Sequence, residues 1–273
     1  MRRLLGWLPA AVVALLVLSA LFPFYWAAVA SLTPEARLFE RPSLIPTEAV
    51  SDHYRALFDE RDFWVPIRNS LLVAGTTTLL CVPVGAVCAY ALARLQFRGK
   101  SAILAFILAV TMFPQISIVS PLYLLLRSLG LINTYPGLVL PYLTFAMPLT
   151  VWLLVGFFRQ LPRSLEEAAL MDGASRLRTL WEIVLPLAWP GLATTAIITF
   201  IYCWNEFLFA LSFTLGPERQ TVPVAIALFR GQYQVPWGQI LAAAVLATAP
   251  VAILVLLFQR RIVSGLTAGA VKG

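Results

Sequence analysis

Few side chains in this sequence could do chemistry. There is one histidine, His53, and there are three cysteines, Cys81, Cys88 and Cys203. A zinc-protease motif needs two histidines on one helix face. The cysteines fall inside apolar runs, where they pack as small hydrophobes rather than pairing or binding a metal. Gly99-Lys100-Ser101 ends like a phosphate-binding loop. The glycine required five positions earlier is Arg94, and no strand precedes it. The one acid deep inside an apolar stretch is Glu206, preceded by Trp204 and Asn205. An ionisable group at that depth costs about 2.5–3.5 kcal/mol on insertion scales and must face protein or a wet path. An amide, a carboxylate and a flat ring suit a sugar, whose hydroxyls need hydrogen bonds and whose C–H faces stack on aromatics. The same groups suit bonding to a neighbouring span or contact with another subunit. Gln115, beside Pro114, is a second polar candidate for a substrate pathway. This chemistry is binding, not bond-making.

The elements that must hold these residues are membrane helices. Of 273 residues 60% are hydrophobic and 12% charged, and the mean hydropathy is +0.84. A soluble domain of this size carries roughly a quarter charged residues. Apolar runs long enough for about 30 Å of hydrocarbon predict an all-α integral membrane protein of six transmembrane helices. The spans are set near 8–32, 69–93, 101–126, 133–158, 190–213 and 240–259, and residues 1–273 form a single transmembrane unit. Arg2 and Arg3 precede the first run, and Ala28-Val29-Ala30 has the look of a signal-peptidase site. The run is about twice a signal's apolar length, so a retained first helix is expected. Prolines at 83, 114, 121, 141, 148 and 250 fall within the spans, each freeing a carbonyl and weakening its helix. Broken helices of this kind are a transporter habit.

Loop charge sets the orientation. The termini and the loops after the second and fourth spans hold twelve Lys and Arg against four acids, Glu166, Glu167, Asp172 and Glu182. The remaining loops balance eight Arg with eight acids. By the positive-inside rule both termini and the loop 159–189 are cytoplasmic. The net charge of +7 therefore reflects topology, and with no basic run it does not suggest nucleic acid. On the outside, Glu35–Arg68 reads as an ordered loop with a short helix from Asp52 to Phe58.

The loop 159–189 is the longest polar interruption in the C-terminal two-thirds of the chain. Ser164 and Glu167 have the spacing of a capping box, and Asp172-Gly173 is expected to stop the helix so begun. Ser175 can cap a second helix whose Leu177, Leu180, Trp181 and Val184 recur on one face, and Pro186 should close it. Two short helices with a glycine corner look like a docking element for a partner protein.

The letters carry a resemblance. Glu167-Ala168-Ala169, three residues, Gly173, nine residues, Ile183, one residue and Leu185-Pro186 reproduce the EAA loop of ABC importer permeases at every position. That resemblance implies a cytoplasmic coupling helix seated on an ATP-binding subunit, with Glu166, Glu167, Ala168, Ala169, Met171, Asp172, Gly173, Ala174, Leu185 and Pro186 as coupling residues. Ile45-Pro46, Tyr54 and Asn69-Ser70-Leu71 resemble sugar-importer permeases, whose outer loops face a binding protein. The tail 260–273 is too sparse to fold alone. It resembles the GLTAG-x-VKG end of maltose-type permeases and implies contact with the ATPase subunits through Gly265, Leu266, Thr267, Gly269, Lys272 and Gly273.

The resemblance implies a permease subunit of a binding-protein-dependent ABC importer for a sugar or oligosaccharide, in the inner membrane of a bacterium or archaeon. Its expected partners are the lipid bilayer, a second homologous permease forming a heterodimer, two ATP-binding subunits and an extracytoplasmic sugar-binding protein. No cofactor is expected on the chain itself and no metal, ATP and Mg being used by the ATPase. A permease for glycerol-phosphate or another polar solute is the alternative within transport. An intramembrane glycosyltransferase-type enzyme would need more acids within the spans than Glu206.

Overall fold

The computed structural model describes residues 2–40, 44–46, 48–229 and 235–268, with side chains described from residue 9 to residue 259 of these. Among the described residues there is helix and no strand. The helices are α1 (Arg2–Ser31), α2 (Asp52–Asp59), α3 (Trp64–Arg94), α4 (Lys100–Thr111), α5 (Ile116–Ser128), α6 (Tyr135–Gln160), α7 (Arg163–Met171), α8 (Arg176–Thr179), α9 (Leu185–Leu187), α10 (Trp189–Trp204), α11 (Leu208–Phe213), α12 (Val222–Ala227) and α13 (Trp237–Ala268). Four helices are long and apolar enough to cross a bilayer, and two bent pairs bring the number to six if each counts as one span.

The chain divides into two compact units, Met1–Trp64 with Ala225–Pro250, and Val65–Val224 with Val251–Gly273. In the first, the expected outer helix is α2. The His53 ring meets the Thr33 carbonyl at 3.0 Å, and the Tyr54 and Ser31 hydroxyls lie 2.7 Å apart. Glu35 accepts the N–H groups of Trp237 at 2.9 Å and Gly238 at 2.8 Å. A carboxylate there meets the free donors and positive end of α13.

In the second unit the core lies where α3, α6 and the segment 180–188 meet. Ala86, Ala89, Leu92 and Ala93 of α3 pack with Val151, Leu154 and Phe158 of α6 and with Leu180, Val184 and Ala188. Small residues on α3 allow close approach: a Cβ on Gly85 would sit 2.8 Å from Thr150 Cγ2. The Thr150 and Thr199 hydroxyls, 2.9 Å apart and buried, tie α6 to α10. At one end Asn69, fully buried, donates to the carbonyls of Glu218 and Gln220 at 3.0 and 2.9 Å and accepts from Tyr135 at 2.8 Å.

Two of the expected spans are broken within, and the last helix runs further than its expected bound. The run 101–126 is not one helix: α4 and α5 meet at 93°. Pro114 has no N–H to continue the ladder and restricts Phe113, and Met112 and Phe113 end α4 with tight bonds to Ala109 and Val110. The other five prolines lie within helices. The run 190–213 is broken after Trp204. The tail 260–273 does not begin at the end of a helix, because α13 runs on to Ala268.

Candidate functional site

The loop between α6 and α10 folds as two arms. The first is α7, and its cap is Pro162, not Ser164. The expected capping box does not form, because the helix starts one residue before Ser164 and places that serine in its first turn. Gly173 ends this arm in the left-handed region, at φ 84°, where a Cβ would be strained. Ser175 caps the second arm as expected, its Oγ accepting the Arg178 N–H at 3.3 Å.

The apolar stripe of that arm divides. Leu180 and Val184 are buried in the core, whereas Leu177 and Trp181 stay 63% and 57% exposed. Pro186 does not close the helix. A π turn over Leu180–Val184 precedes it, and this wide turn relaxes the Glu182 carbonyl that a proline at 186 would strike. The chain bends instead at Ala188, by 80°.

The neighbouring glutamates part company. On a helix, adjacent residues differ by about 100° in direction. Glu166 turns inward with Ala169, and both are buried; Glu167, Ala168, Met171, Asp172 and Gly173 are exposed. Arg94, at the end of α3, brings Nε to 2.6 Å from Glu166 Oε1 with both side chains nearly buried. Its Nη2 donates to the Leu161 carbonyl at 2.8 Å, and the Tyr90 hydroxyl is directed at the same carboxylate. Glu166, expected as a coupling residue, is here an internal tie between α3 and α7. Ala174 and Leu185 are half-buried. Leu185 and Pro186 line an apolar cleft of about 350 Å³ with Val82, Pro83, Trp181 and Trp189.

The second candidate is the break after α10. Asn205 Nδ2 donates to the Ile201 carbonyl at 2.9 Å, satisfying the end of α10. The Glu206 carboxylate accepts the N–H groups of Phe209 at 2.8 Å and Ala210 at 3.1 Å, satisfying the start of α11. Irregular backbone inside a span persists where its polar groups find protein partners, and two adjacent side chains supply them here. Trp204 is 3% exposed and stacks on Phe200 with ring centroids 5.8 Å apart, so its face is not free for a ligand. Gln115 stands at the α4–α5 break and donates to the Tyr202 hydroxyl at 2.7 Å. Of the four pathway candidates only Asn205 is exposed; Gln115 is half-buried, and Glu206 is 9% exposed. Gly265, Leu266 and Thr267 continue α13, whereas Gly269, Lys272 and Gly273 lie outside the described residues.

Reading the sequence missed Arg94 and Tyr202. Arg94 stood among the topology charges, and a helical wheel of 163–171 supplies the missing signal, because Glu166 shares a face with Ala169. Nothing local marks Tyr202, whose partner is 87 residues away.

The comparisons with known proteins concern nearly the whole chain. The trehalose/maltose transport system permease protein MalG of Thermococcus litoralis is 44% identical over 261 residues, covering 95% of this chain and 94% of that protein. The trehalose transport system permease protein SugB of Mycobacterium tuberculosis is 46% identical over 256 residues, covering 93% of each. Among solved structures, a bacterial ABC transporter involved in the import of the acidic polysaccharide alginate has a chain that superposes with a TM-score of 0.77 at 25% identity. That match covers 94% of this chain and 96% of the other. Residues 81–267 match the family described as binding-protein-dependent transport system inner membrane component. With its apolar helices, its bent spans and a two-armed loop held to α3 and α6, the chain belongs to that family of membrane transport subunits.

Proposed function

We propose that this chain is the permease subunit of an ATP-driven importer, translocating a sugar or oligosaccharide handed over by an extracytoplasmic binding protein. The observation that carries the reading is the exposed surface of α7 and α8. Glu167, Met171 and Leu177 project from two short arms whose other faces are fixed to the core and to Arg94. Met171 is 89% exposed, a surface that suits a groove on a partner. Relatives named for trehalose and maltose transport support sugar as the solute class. Charge balance across the loops supports a cytoplasmic position for this element and for both termini.

In this reading two ATP-binding subunits sit beneath a heterodimer of this chain and a second, homologous permease. They supply the ATP and Mg chemistry, and the tail through Gly265, Leu266 and Thr267 reaches toward them. When the ATPase dimer closes it pulls on Glu167 and its neighbours. The pull passes through the Leu180–Val184 anchor to α3 and α6, and the spans, already broken at Pro114 and after Trp204, reorient. Asn205 and Gln115 border the pathway, and Glu206 holds its break in shape.

The test is co-purification with an ATP-binding subunit, with single cysteines at Met171 and Gly173 labelled in intact cells and in inverted vesicles. Capture of an ATPase and labelling only in inverted vesicles are expected. Labelling of these positions from outside the cell would end the proposal, since no ATP acts there.

A further inference from the structure

A cleft at the ends of α3, α4 and α6 has no part in the transport reading. Its volume is about 280 Å³, and it is lined by Leu92, Leu104, Ala105, Leu108, Lys100 and Arg159, with Ser101 beside them. A neighbouring hollow of about 350 Å³ shares Lys100 and Ser101. Lys100 and Arg159 stand at helix ends, and Leu104 and Leu108 follow one and two turns into α4. Lys100 Nζ is held near the end of α3 by the carbonyls of Ala93 and Leu95, at 3.4 and 3.2 Å.

The charges acting on that ammonium are the guanidinium groups of Arg159 and Arg163, with no carboxylate among them. Among the described residues none of the three enters an ion pair. Three gathered cations repel one another unless an anion joins them. The helix beside them, α4, has no fully buried residue: Leu104 packs only in part against the core and Leu108 stays exposed, which leaves an apolar track for hydrocarbon. One ligand meets both needs.

The geometry points to a bound anionic phospholipid, its phosphate among Lys100, Arg159 and Arg163 and an acyl chain along Leu104 and Leu108. The Ser101 hydroxyl can donate to a phosphate oxygen. Basic pockets at the ends of membrane helices take such headgroups, each cation adding attraction close to the surface. The proposal rests on the cleft and its charges, and it stands whether or not the solute is a sugar.

The experiment is native mass spectrometry of the complex as extracted from membranes, titrated with dioleoylphosphatidylglycerol or dioleoylphosphatidylcholine. A preference of roughly ten-fold for the anionic lipid is expected. It should fall to near parity in Lys100→Gln/Arg159→Gln and survive in Arg127→Gln, a cation on α5 outside the cleft. Arg163→Gln alone, on the exposed loop, should lower it by a smaller factor, which keeps the test alive if the double variant does not assemble. Equal retention of both lipids by the unaltered complex overturns the proposal. So does a preference that persists without these cations, or displacement of the lipid by excess glycerol 3-phosphate, which would mean a soluble phosphate site.

Discussion

Two glutamates adjacent in sequence sit in opposite surroundings, one paired and buried and one exposed, and the difference is measurable. Removing one member of a buried ion pair typically costs about 3–5 kcal/mol, because the other is left charged and unpaired. Arg94→Gln should therefore lower the thermal unfolding temperature of the purified chain, and Arg94→Met with Glu166→Leu should recover most of the loss in a double-mutant cycle. Glu167→Ala, at an exposed position, should leave that temperature unchanged while reducing solute uptake and ATPase capture. If Glu167→Ala instead destabilises as much as Arg94→Gln, the two roles are not separate. Glu206 gives a third contrast. Its carboxylate accepts two backbone N–H groups, and Glu206→Gln leaves one acceptor oxygen for two donors. The expected result is lower maximal uptake with unchanged apparent affinity for solute; a selective loss of affinity would place Glu206 on the substrate instead.

Elements were legible where the signal is local. Gly173 and Ser175 announce a corner and a cap, and both form. A Gly173→Pro chain cannot reach φ 84°, so membrane insertion should persist while uptake is abolished, checked by membrane fractionation beside transport. The misreadings were those that a tertiary partner decided. Ser164 and Glu167 have capping-box spacing, but Arg94 fixes where α7 lies by gripping Glu166. Leu177 and Trp181 share a helical stripe with Leu180 and Val184, yet only the latter pair is buried against α3 and α6. In the site region, Asn205 and Glu206 were visible as polar groups in an apolar run. That they would end one helix and start another was not, since each satisfies backbone from its own neighbourhood only once the chain has turned. At the other end of this unit, the Asn133 amide donates to Glu218 Oε1 at 2.7 Å. That bond, with the Arg219 charge, holds the exposed Glu218 carboxyl below its ordinary range. A depressed carboxylate stabilises the fold above its unfolded-state value, and the contribution is lost as pH falls through the folded one. Amide exchange at Leu215, whose N–H is bonded to Asn133, should speed up through that acidic window, and Glu218→Gln should abolish the pH dependence.

For the whole molecule, the resemblance seen in the sequence was of long range and fixed spacing, which is why family membership could be read from letters alone. What letters could not supply was the division of labour inside the loop. One arm is buried to the depth of Leu180 and Val184, and the other presents Met171 and Glu167 outward. Glu167 thus stands on an exposed arm joined at Gly173 to a segment packed in the core.

The wide turn before Pro186 has a further consequence. Five residues, Leu180–Val184, span a turn that an ordinary helix completes with about 3.6, so the segment carries one spare position. Deleting a single residue there is the least disruptive shortening open to this loop. It would tighten the coil without turning the outward arm about its axis, and it would bring back the proline clash that the wide turn relieves. A chain so shortened is expected to enter the bilayer with its outward arm facing as before and its second arm less stable.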